Sequence, residues 1–101
     1  MRTEEPILTI SVASSLLKLH PRTLMLYENE GFLKPFRTGT NRRMYSIKNL
    51  EELQFVKFLT HERGINLQGV KTVLEALQIG QKHQLDLKRL LFPDFELKQL
   101  I

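Results

Sequence analysis

Five cations and no acid lie between positions 34 and 48: Lys34, Arg37, Arg42, Arg43 and Lys48. A run of this kind can neutralise a polyanion or can be an ordinary solvated face, and charge alone leaves both open. A second set, Arg22, Thr23 and Tyr27, follows a proline that suits the first position of a helix. Side chains in a first helical turn can reach base edges in a major groove, while backbone N–H groups there meet phosphate. An arginine paired with guanine through two hydrogen bonds discriminates by roughly 1–3 kcal/mol. Thr23 can bond a phosphate or serve the helix start, and Tyr27 and Tyr45 each join an apolar ring to a polar tip.

The whole chain of 101 residues has a net charge of +4. The excess lies in one half: residues 1–50 carry 8 Lys and Arg against 4 Glu, and residues 51–101 carry 7 against 7. Other chemistries find little footing. There is no cysteine, so disulfides, thiolate metal sites and cysteine nucleophiles are excluded. His20, His61 and His83 lack ligand spacing, so no metal is expected, and His20 reads as the cap of a helix. Glu28, Glu30, Glu51 and Glu52 read as exposed helix acids with nothing paired to them. Neither a glycine-rich phosphate loop nor a nucleophile elbow occurs, so no enzyme activity and no cofactor are expected. No apolar run approaches the ~20 residues of a membrane span, and the first residues do not open a signal peptide. A cytoplasmic protein is expected.

The elements that would position these residues follow from pattern. Ile7–Ile10 is short and β-prone, and Ser11 is expected to cap a helix over 12–18 with Val12, Ala13, Leu16 and Leu17 inward. A second helix is expected from Pro21 to about Glu30, with Leu24, Leu26 and Tyr27 on its inner side and Gly31 ending it. Two short helices joined by a tight turn make a helix-turn-helix. Thr38-Gly39-Thr40-Asn41 then reads as the turn of a basic β-hairpin, with Pro35 confining the first strand to an edge. Ser46 is expected to cap a third helix running up to Gly64, and Asn66 a fourth that closes at Gly80. The fold class is therefore mainly α: a winged helix-turn-helix with a small hairpin wing, two further helices and a short apolar C-terminal segment. Residues 1–80 form the expected binding domain and 81–101 the tail.

Taken in order, Ser11-Val12-Ala13, HPRTLMLYENEGFLKPFR (20–37), NRRMYS (41–46) and ERGINLQGVKTVLE (62–75) resemble the MerR family of bacterial transcription regulators. His20-Pro21 and the lack of cysteine ligands make the chain similar to the heat-shock-repressor (HspR) type. The resemblance implies a homodimer that binds a near-palindromic operator in double-stranded DNA and distorts it, here as a repressor in the bacterial nucleoid. It implies DNA contacts from Tyr27, from Arg43 as the wing arginine and from Tyr45, although Tyr45 also suits packing at the base of the wing; Arg22 and Thr23 at the helix start and Arg37 and Arg42 beside Arg43 complete the expected DNA-binding set. Where the family commonly has Arg-Tyr-Tyr, this chain has Met25-Leu26-Tyr27, so base readout is expected either to rest more on Arg22 or to be weaker. The effector domain that follows in most members is not expected.

Leu85, Leu87, Leu90, Leu91, Phe92 and Phe95 make the tail apolar. They suit dimerisation or a protein partner, and the heat-shock type implies a DnaK-type chaperone as one such partner. Folding back to complete the monomer's core suits them as well. The competing reading of the whole chain is a MerR-like interaction module that binds a chaperone or another protein.

Overall fold

A computed structural model describes residues 2–101. In chain order the elements are β1 (Leu8–Thr9), α1 (Ile10–Leu17), α2 (Pro21–Asn29), β2 (Phe36–Arg37), β3 (Arg43–Tyr45) and α3 (Ile47–Lys57). A π-helical turn, Phe58–Glu62, continues α3, and α4 (Leu67–Lys82) and α5 (Leu87–Leu91) follow. The three strands form one antiparallel sheet in the order β1-β3-β2. Its register places Leu8 opposite Tyr45 and Arg37 opposite Arg43. This is the winged helix-turn-helix architecture that the sequence pattern predicts. The chain divides into two compact units, one reaching to Gln54 and taking in Lys98–Ile101, the other Phe55–Leu97.

In the first unit the helices are held by local chemistry at their ends. The cap of α1 is Thr9, whose Oγ1 accepts from the Val12 N–H at 3.3 Å, so the helix starts before the expected Ser11. Thr9 serves both β1 and α1, and the strand's last residue replaces the serine as cap. Lys18 ends α1 in the left-handed region at φ 56°. His20 caps α2 as expected: its Nδ1 accepts from the Arg22 N–H at 3.0 Å, which leaves the ring proton on Nε2 in the neutral form. At the other end of α2, Phe32 N–H donates to the Tyr27 carbonyl and Gly31 N–H to that of Glu28. Gly31 sits at φ 84°, and the Tyr27 and Phe32 rings meet at 5.8 Å. These bonds and this ring contact together form a Schellman ending, which needs a left-handed residue at that point. Leu24 and Tyr27 are buried on α2, but Leu26 is exposed, contrary to expectation. Inward positions at 24 and 27 turn residue 26 by about 100° away from 27.

The second unit departs further from the pattern. α3 does not run as a plain α-helix to Gly64. It widens at Phe58–Glu62, where Arg63 N–H donates to the Phe58 carbonyl five residues back. Within that turn the Thr60 hydroxyl reaches the carbonyls of Val56 and Lys57, a bond that competes with the regular ladder. Asn66 caps α4 as expected, accepting from Gly69 N–H at 2.8 Å. Gly80 does not close that helix; α4 continues to Lys82, and Gly80 is buried inside it. A Cβ at Gly80 would lie 2.6 Å from Leu87 Cδ1, so this glycine permits the close approach of α5.

Candidate nucleic-acid interface

Both halves of the candidate site lie in the first unit. α2 opens with no acid in its first turn, so the positive end of its peptide dipoles is uncompensated there. Arg22 is exposed at that end, Thr23 is half-buried, and neither forms an ion pair among the described residues. Arg22, Leu26 and Asn29, spaced four and three apart, form the exposed face of α2. The sequence pattern places Leu26 inward and does not single out Asn29. Their exposure follows from the placement of Leu24 and Tyr27 in the core, which fixes the helix's rotation.

The wing is a short hairpin tied by its turn. Thr38 N–H donates to the Arg42 carbonyl at 2.9 Å, Asn41 N–H to the Thr38 carbonyl at 2.8 Å, and Arg42 N–H to Thr38 Oγ1 at 3.1 Å. The two threonine hydroxyls, Thr38 and Thr40, lie 3.0 Å apart. Of the two turn residues able to take a positive φ, Asn41 does so, at 64°. This turn projects Arg42, which is exposed and forms no ion pair among the described residues.

Arg37 and Arg43 are engaged differently. Arg37 Nη2 donates to Glu28 Oε2 at 2.9 Å, and Arg43 Nε donates to Glu28 Oε1 at 2.6 Å. Glu28 is thus not an unpaired acid, which corrects the sequence expectation. Its side chain is only 17% exposed. Burial opposes its charge, but hydrogen bonds from Arg43 and Arg37 outweigh that and hold its carboxyl below the ordinary range. Glu28 precedes Arg37 by nine positions and Arg43 by fifteen, a spacing that no helix or strand period produces. Only the fold brings the three together.

The two tyrosines are core residues. Tyr45 is 0% exposed and Tyr27 2%. Burial pushes the Tyr45 hydroxyl above its ordinary pKa, the nearby charge of Glu28 adding to it. Packing at the base of the wing, and not the phosphate contact that the family resemblance implies, is the place of Tyr45: its ring anchors β3, facing Leu8 across the sheet, and no surface of it meets solvent. Tyr27 packs against Phe32, and its expected contact shrinks to whatever that 2% allows. Among the described residues no three His, Cys, Asp or Glu side chains gather as metal ligands.

In the second unit the tail residues part company. Phe92 and Phe95 pack edge-on against Phe55, at 5.6 and 5.1 Å between centroids, and also meet Phe58. Lys88 Nζ stands 4.4 Å from the centre of the Phe55 ring, and Arg63 lies over Phe58 and Phe92. Arg63 also pairs with Asp94 at 2.6 Å. Leu87 packs on Gly80. Leu87, Phe92 and Phe95 are thus taken up within the chain, whereas Leu85, Leu90 and Leu91 are exposed.

Residues 8–77 match the model of the MerR HTH family regulatory proteins. The chain is 42% identical over 72 residues to a heat shock protein HspR of Streptomyces coelicolor, covering 71% of this chain and 48% of that one. It is 33% identical over 73 residues to the HTH-type transcriptional regulator GlnR of Bacillus anthracis, covering 72% and 56%, and equally to GlnR of Bacillus cereus. The chain spans about half the length of these curated relatives. With the family's pattern matched over most of its length and the winged helix-turn-helix in place, the chain belongs to the MerR family and is HspR-like within it.

Proposed function

We propose that this protein is a transcription regulator that binds double-stranded DNA, with α2 entering the major groove and the wing gripping the flanking backbone. One observation carries the reading: two arginines that form no ion pair among the described residues, Arg22 and Arg42, stand exposed on α2 and on the wing tip of one compact unit. The match to a family of HTH regulatory proteins and the relatives named as HTH-type transcriptional regulators support the same class and speak against an enzyme. In this reading Arg22 and Thr23 make the helix contacts, and Arg37, Arg42 and Arg43 belong to the wing. The protein acts as a homodimer on a near-palindromic operator, distorts the duplex, and represses from within the bacterial cytoplasm. Sequence-dependent deformability of the duplex then adds to base readout.

The test is selection of duplexes from a random pool, followed by affinity measurements across salt. Each phosphate neutralised steepens the fall of log K with log salt by about 0.9. Enrichment of a symmetric site with a steep salt slope is the expected result. Weak affinity that salt leaves unchanged would sink the proposal.

A second reading rests on Leu85, Leu90 and Leu91, which are exposed in the second unit. These side chains suit a protein partner, a chaperone among them, and DNA binding and partner binding are compatible. Substituting these leucines by glutamate separates the two activities: loss of the partner with DNA binding kept assigns them to the partner.

A further inference from the structure

Arg37 and Arg43 face each other directly across the β2–β3 ladder. Like charges opposite one another on a sheet repel, so the wing needs an anion at this point to keep its strands together. Glu28 supplies it, one carboxylate oxygen to each guanidinium. The acid is the penultimate residue of α2, where the helix dipole disfavours negative charge, so the two cations are what make this position tolerable. Arg37 also reaches the Asn41 carbonyl of the wing turn at 3.5 Å. Of the three wing arginines, Arg42 alone forms no ion pair among the described residues.

We propose that Glu28 is a positioning residue that clamps the wing to α2 through Arg37 and Arg43, leaving Arg42 as the wing's phosphate contact. The proposal rests on the DNA-binding reading for its consequence, not for the clamp itself. The clamp fixes the distance and angle between the element that reads the groove and the element that grips the backbone. Arg43 then acts through the bond that its rigid, planar guanidinium directs from Nε to Glu28, which a flexible lysine ammonium does not reproduce, and not through its charge on a phosphate. Arg42 acts as charge.

The sign of one substitution separates this from the simpler view of Glu28 as an acid near DNA. Glu28→Gln removes a negative charge, which by electrostatics alone tightens binding. Under the proposal it loosens the wing and weakens binding to the selected duplex by about tenfold. Arg43→Lys keeps the charge and is expected to weaken binding to the same degree. Arg42→Ala is expected to reduce the salt slope by about 0.9, whereas Arg43→Lys leaves it unchanged. Amide hydrogen exchange of the free, full-length protein is the companion measurement. Glu28→Gln is expected to speed exchange across 37–45 while α4 keeps its protection. A Glu28→Gln protein that binds as tightly as the native chain or tighter, or whose wing amides exchange at the native rate, overturns the proposal. If the native protein shows no salt-dependent duplex binding, the DNA-binding reading fails alone, and the exchange result still decides the clamp.

Discussion

One carboxylate pairing with two guanidiniums makes Glu28 a test of how charge holds this fold. Each Arg–Glu hydrogen bond is charge-assisted and partly shielded from solvent, so it is stronger than an exposed surface pair. Its pH dependence has a definite sign. The folded carboxyl titrates below the unfolded one, so its contribution is complete above the ordinary carboxylate value of 4.5 and is lost as pH falls through the lower folded value. The difference in unfolding free energy between the native protein and Glu28→Gln is therefore expected to be flat from neutral pH down to about 5 and to shrink in more acid solution. Denaturant unfolding at stepped pH measures it; a difference that grows on acidification would contradict the clamp. Arg22 is simpler. It holds nothing together, so Arg22→Ala is expected to leave the unfolding midpoint unchanged and to relax preference at one base per half-site in the selected pool.

Among the elements, ends and close approaches decide more than propensity does. Gly80 shows the competition. Replacing glycine by alanine inside a helix stabilises it by about 1 kcal/mol, whereas forcing a methyl into a filled space costs about 1–3 kcal/mol. With Leu87 Cδ1 and Cγ at 2.6 and 2.7 Å and the Leu85 carbonyl oxygen at 3.2 Å from the new Cβ, the clash wins. Gly80→Ala is expected to destabilise by about 1 kcal/mol, and in a Leu87→Ala background to stabilise by a similar amount. Thermal unfolding of the four proteins reads the reversal. The same position shows where pattern reading runs out. Helix and hairpin order, the caps at His20, Ser46 and Asn66 and the Gly31 ending are local, set by neighbours within a turn, and were legible. The role of Gly80, the widening at Phe58–Glu62 and the pairing of Glu28 depend on residues seven or more positions away or on a hydroxyl's choice of carbonyl. The residue types alone carry no trace of those partners. Of the expected DNA contacts, Arg22 and Arg42 stand exposed, Arg37 and Arg43 are ion-paired, and Tyr45 is interior, because an amphipathic tyrosine suits either a wet rim or a core.

At the scale of the molecule, the net charge belongs to residues 1–50, while the second half is neutral and rich in leucine. That division suits the polyanion proposed as partner of one part and the apolar contact proposed for the other. Within Phe55–Leu97, the aromatic cluster of Phe55, Phe58, Phe92 and Phe95 already uses the rings, roofed by Lys88 and Arg63. What remains outward on α5 is Leu90 at 67% and Leu91 at 54% exposure. If these leucines serve instead as the contact of the proposed homodimer, charge placed on them splits the dimer without disturbing the monomer, since neither contributes to the buried core. Leu90→Glu with Leu91→Glu is accordingly expected to halve the mass seen by light scattering while leaving helix content and the unfolding midpoint of the monomer intact. Affinity for a symmetric site is then expected to fall by about 10²-fold or more, because the second half-site no longer binds intramolecularly, while affinity for a single half-site stays the same. A doubly substituted chain that keeps the dimer's mass moves the dimer contact elsewhere and leaves these leucines to the protein partner.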